Sequence, residues 1–158
     1  MKKILIHTGL AILLFVFGFV SSKGFTELSI SLLDLNGINI AVTSMKSQFN
    51  ENLLFSIALG ITPLILLTVN KISGSLSGLR NNYLLPIGLI VLTGIITWIL
   101  RIFILNNKIE SMNSFDFGEN IQQILSFDTL NFSMYLLSGF IIGGIVSILI
   151  SKRLPTKK

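Results

Sequence analysis

Four stretches of this chain, residues 4–20, 53–69, 84–105 and 134–150, are almost uninterrupted apolar runs. Each has about the 17–25 residues that a helix needs to cross ~30 Å of hydrocarbon. An isolated strand in lipid would leave its backbone groups unpaired, so helix is the expected state of all four. The composition agrees: 51% of residues are hydrophobic, 12% are charged and the mean hydropathy is +0.81, values unsuited to a water-soluble domain. The expected fold is an all-α integral membrane protein, a single four-span domain over residues 1–158 with outer loops 21–52 and 106–133.

The first run follows Met1-Lys2-Lys3 and precedes "SSKG", an arrangement shared with secretory signal peptides. Its apolar run exceeds the roughly 7–15 residues of a signal core and no A-x-A-like site follows, so it is read as a retained span.

Charge gives the threading. With four spans, both termini and the 70–83 connection share one side. That side carries Lys2, Lys3, Lys71, Arg80, Lys152, Arg153, Lys157 and Lys158 and no carboxylate. The other side carries Lys23, Lys46 and Lys108, with Arg101 close by, and every acidic residue: Glu27, Asp34, Glu51, Glu110, Asp116, Glu119 and Asp128. The positive-inside rule therefore predicts cytoplasmic termini, N-in and C-in. The basic face is a topology signal with some attraction for anionic headgroups. It lacks the aromatic-interleaved basic domain of a nucleic-acid binder, and no nucleic-acid partner is expected.

Arg101 interrupts the third run. Threading places it near the outer end of that span, where a long side chain can snorkel to water or lipid phosphate. Trp98 is three residues earlier on the same helical face, as an interfacial aromatic anchor would be. The alternative is a partner charge, with Arg101 paired to a carboxylate of an outer loop or of another subunit.

The two outer connections read differently. In "LSISLLDLNGINIAVT" apolar residues alternate on both sides of Asn36-Gly37, and Asn-Gly accepts the positive φ angles of a type I′ turn. A β-hairpin is expected there. In "FGENIQQILSFDTLNFS" Ile121, Ile124 and Leu125 follow helical spacing, which predicts a short amphipathic helix on the outer surface. Asp116, Glu119 and Asp128 match no compact calcium-loop spacing, and Asp128 reads better as a helix cap.

Small residues mark the helix contacts. Gly139, Gly143 and Ser147 are spaced by four on the fourth span, and Ser56 and Gly60 form a shorter matching stripe on the second, before Thr62-Pro63. In lipid there is little hydrophobic drive between helices, so close backbone approach supplies the attraction. These residues are candidates for packing within the bundle or against another subunit. Repeated dipeptides, Gly9-Leu10 with Gly88-Leu89 and Phe55-Ser56 with Phe132-Ser133, raise the idea of a duplicated two-helix unit, which chance explains comparably well in so Leu- and Ile-rich a chain.

Catalysis finds little support. His7 is the single histidine and no carboxylate on its side could orient it as a base. A chain without cysteine has no thiol chemistry, disulfide or Cys-ligated metal. No catalytic residue, metal ligand or cofactor is expected. Ion-coupled carriers keep ionisable residues near the membrane centre, and these spans have none there. The expectation is a non-catalytic membrane subunit that docks on, scaffolds or regulates a larger envelope complex, with other membrane proteins and the lipid bilayer as partners. A small oligomeric transporter or channel for a neutral solute is the alternative. The abundance of Ile, Asn, Lys and Phe points to a bacterial inner membrane.

Overall fold

A computed structural model describes residues 2–35, 38–42, 44–74, 84–113 and 124–153. Four helices carry the fold: α1 (Lys2–Ser31), α2 (Met45–Gly74), α3 (Leu84–Asn113) and α4 (Phe132–Arg153). All four are long and apolar enough to cross a membrane, which makes the chain an integral membrane protein of the all-α class. The first three have 30 residues each. At 1.5 Å per residue that is about 45 Å, longer than the ~30 Å of hydrocarbon.

The extensions fall in stretches where the sequence predicts loop, and the reason they are helical is local. Beyond the apolar run of α1, Ser22 donates to the Phe19 carbonyl at 2.8 Å and Ser29 to that of Phe25 at 2.7 Å. Lys23 and Glu27 pair at 3.8 Å one turn apart. The polar side chains are thus satisfied on the helix itself, and the helix continues to Ser31. At the start of α2 the Ser44 hydroxyl accepts from the Ser47 N–H at 3.2 Å, supplying one of the acceptors that a helix end lacks. Pro86 sits in the first turn of α3, where no hydrogen-bonded N–H is required. Pro63 lies inside α2, which runs through it unbroken, with the Thr62 hydroxyl bonded to the Ala58 carbonyl at 3.0 Å.

Helices α1 and α2 pack along each other, α2 lies on α4, and α4 packs along α3. Helices α1 and α3 meet through aromatic rings near the end that carries the 32–44 and 114–131 connections. There the Phe25 ring stacks on Phe55 of α2 at 4.4 Å and lies 5.8 Å from Trp98 of α3.

At that end a small head is built. Strand β1 (Asn39–Ala41) pairs in parallel with β2 (Ile124–Ser126), with Ile40 opposite Leu125. A 3-10 turn, Phe127–Thr129, leads from β2 into α4. Leu33, Ile38, Leu105, Ile109, Leu125, Leu130 and Phe132 form a buried core beneath the strands.

Three sequence expectations are corrected here. The hairpin about Asn36-Gly37 does not form as read: Ile30 belongs to α1, Leu33 closes a turn by donating to the Ile30 carbonyl at 3.0 Å, and β1 takes its partner from the other connection. Asn36 and Gly37 lie outside the described residues. With the chain leaving the helix late, Leu33 is buried and Ile30 and Leu35 pack on the same cluster. The amphipathic helix of the second connection is replaced, over its described part, by β2: Ile124 is exposed and Leu125 buried, the alternation of a strand. Ile121 lies outside the described residues. Asp128 falls inside the 3-10 turn and Ser126 occupies the cap position.

Candidate partner-binding site

The polar side chains of α3 fasten the head. Thr97 donates to the Tyr135 carbonyl and Thr93 to the Gly139 carbonyl, both at 2.9 Å, tying α3 to α4. At the next residue, the Trp98 indole N–H donates to the Ser29 hydroxyl of α1 at 3.0 Å. Asn106 holds the turn after α1, accepting from the Asp34 N–H at 3.1 Å and donating to the Leu32 carbonyl at 3.3 Å.

Arg101 turns inward. Its Nε donates to the Leu130 carbonyl at 2.8 Å, an Nη to the Thr129 carbonyl, and its guanidinium lies 4.9 Å from the centre of the Tyr135 ring. These carbonyls precede Asn131, whose φ of 49° puts it in the left-handed region that asparagine tolerates better than most residues. Asn131 then accepts from the Tyr135 N–H at 3.3 Å and α4 begins. From α2 the buried carboxylate of Glu51 accepts from the Ser133 N–H at 2.6 Å. An acidic group suits the positive end of the helix dipole. The first turn of α4 is therefore held from both sides, by a cation on the carbonyls before it and an anion on the amides inside it. Glu51 was not singled out from the sequence, because nothing local marks it apart from the other loop carboxylates.

The small-residue stripes divide between two helix pairs. A Cβ on Gly139 would stand 2.7 Å from Gly94 Cα, and one on Gly143 2.7 Å from Ile90 Cα, so this stripe is filled by α3. Ser147 is fully buried and bonds back to the Gly143 carbonyl at 2.7 Å. The shorter stripe faces α1: a Cβ on Gly60 would meet Phe15 Cβ at 3.0 Å, and a Cβ on Gly18 would stand 2.8 Å from Ser56 Cα. The two stripes do not face one another. Each closes a hairpin of adjacent helices.

What the packing leaves open is a cleft of about 500 Å³ in the head, between the last turns of α1, the first turns of α2 and β1. Lys23 and Glu27 stand at one wall and Gln48 and Asn52 at the other, over an apolar floor that includes Ile30, Ile38 and Phe127. A second groove of about 430 Å³, between α1 and α2 around Ala11 and Gly60, lies at the depth of the apolar spans, where acyl chains run. Among the described residues no three His, Cys, Asp or Glu side chains cluster as metal ligands would. No protein-family model, curated protein or solved structure matches the chain.

Proposed function

We propose that this chain is a non-catalytic integral membrane subunit that docks on, scaffolds or regulates a larger envelope complex. It sits in a bacterial inner membrane with both termini in the cytoplasm and the head on the outer face. The observation that carries the reading is the head: spans longer than the bilayer rise out of it and are tied together there by Trp98, Arg101, Asn106 and Glu51. Such fastening gives a rigid projecting surface, and rigidity is what a docking platform requires. The charge asymmetry supports the orientation, since the basic residues without acidic neighbours gather at the termini and the 70–83 connection.

The test is isolation from the native membrane through a tag on the C-terminus, in mild detergent, with the mass and composition of the product measured. A defined set of other proteins at fixed stoichiometry is the expected result. A lone homo-oligomer would overturn the subunit reading and favour transport of a neutral solute, for which flux into liposomes is the next measurement.

A further inference from the structure

We propose that the head cleft is a binding site for an uncharged membrane amphiphile, a lipid with a hydroxyl-bearing headgroup and an acyl chain, whose polar end is held by Thr26 and Asn52. The inference goes beyond the subunit reading and does not depend on it.

Thr26 is the first ground. A serine or threonine inside a helix commonly donates its hydroxyl to a carbonyl one turn back. In α1 both neighbours of Thr26 on that face do so, Ser22 to Phe19 and Ser29 to Phe25, and in the other helices so do Thr62 and Thr93. Thr26 is 9% exposed and borders the cleft, yet among the described residues its hydroxyl forms no hydrogen bond. A hydroxyl set that deep in a wall and withheld from its own helix is a donor and acceptor open to a ligand.

The facing wall adds a second such group. Gly18 of α1 packs against Ser56 of α2, and the same antiparallel register carried toward the head brings the turn of Thr26 across from Gln48 and Asn52. The half-buried Asn52 amide borders the cleft and, among the described residues, also forms no hydrogen bond. One hydroxyl and one amide on opposite walls supply donors and acceptors without charge, the complement of a polyol or an ester.

The remaining surface fits the apolar part of the same ligand. Ile38 and Ile40, two apart in the β1 segment and so on one face, join Ile30 and Phe127 as an apolar floor. The cleft volume of about 500 Å³ falls within the roughly 300–1,000 Å³ of small-molecule sites. Charge selects against ions. Lys23 and Glu27 at the rim are 3.8 Å apart and answer one another, so a charged headgroup would lose solvent without gaining a counter-charge. Position favours a membrane source: the α1 wall begins at Lys23, three residues past the apolar run of residues 4–20, where hydrocarbon gives way to headgroups.

The experiment uses the purified full chain in phosphatidylcholine vesicles containing a monoacylglycerol with a photoreactive diazirine in its acyl chain. Illumination should label residues 38–42 and Phe127 saturably, as read by mass spectrometry of the peptides. Thr26→Val combined with Asn52→Leu removes the polar partners while keeping the volume of the walls, and should lower that labelling about tenfold. Thr26→Ser alone should label as the wild type does. Labelling of Phe103, an exposed residue of α3, and the helical circular dichroism should be the same in all three variants, which separates loss of the site from loss of the fold. Labelling of the cleft that does not saturate, that persists in the double variant, or that is equalled by the phosphatidic acid carrying the same chain would overturn the proposal. Displacement of the probe by water-soluble glycerol monobutyrate would overturn the membrane source and make the ligand a neutral solute.

Discussion

The carboxylate of Glu51, on α2, accepts a 2.6 Å hydrogen bond from the backbone N–H of Ser133, the second residue of α4. Both residues are buried. The bond closes an open donor at the start of α4 and places a negative charge at the positive end of its dipole. It also joins the two helical hairpins at the point where the head begins.

Glu51→Ala should therefore cost about 1–3 kcal/mol, the penalty for a buried N–H left without an acceptor. Glu51→Gln keeps an acceptor oxygen and should recover most of that loss. The measurement is thermal unfolding in detergent followed by the fluorescence of Trp98, the single tryptophan of the chain. Equal midpoints for Glu51→Ala and wild type would mean that Ser133 finds another acceptor and that the bond contributes nothing.

Arg101 acts on the same turn through its fork geometry. It spans two consecutive carbonyls, Thr129 and Leu130, and stacks over Tyr135, a combination that a lysine ammonium cannot reproduce. Arg101→Lys should lower stability by about 1–2 kcal/mol, and Arg101→Glu by more, because a carboxylate would face two carbonyl oxygens. The readout is maleimide labelling of a cysteine placed at Leu130, which is buried in the wild type; the chain has no other cysteine to interfere. Arg101→Glu should accelerate labelling. If it does not, the arginine is dispensable for the turn and serves as an interfacial anchor or a charge for a partner.

The spans were legible because hydropathy is a local property that survives whatever tertiary structure follows. The head was not, and Ile40 shows why: its strand partner is Leu125, on the other connection, and no nearby residue signals that pairing. Asn36-Gly37 offered a local partner instead, and the burial of Leu33 beneath α3 outweighed it. Ile124 and Leu125 fitted a helical spacing with Ile121, yet three positions cannot separate a helix from a strand that buries its middle residue. Trp98 and Arg101 stand three residues apart on α3, while their partners, Ser29 and Leu130, lie on other elements that no local pattern marks. The stripe Gly139, Gly143 was visible as a contact, but which helix fills it became apparent only from Gly94 and Ile90.

That stripe yields a paired prediction. Gly143→Leu forces a side chain into the Ile90 backbone and should exceed the ~1–3 kcal/mol typical of overpacking. Gly9→Leu and Gly88→Leu introduce side chains with no neighbour within 4 Å and should change stability by less than about 0.5 kcal/mol. Retention of the folded monomer peak in size-exclusion chromatography after heating separates the two classes. Comparable losses for Gly143→Leu and Gly9→Leu would show that the close approach of α3 and α4 does not govern stability.

The orientation is tested with the same cysteine-free background. Lys46 lies in the first turn of α2 at the head and Lys71 in its last, and both are exposed. Helix α2 has 30 residues, long enough to set the two positions on opposite sides of a bilayer. With cytoplasmic termini, a membrane-impermeant maleimide should label Lys46→Cys in intact spheroplasts and Lys71→Cys only after permeabilisation. The reverse pattern would invert the threading and would put the head cleft in the cytoplasm. Labelling of both positions from one side would show that α2 does not cross the membrane at all.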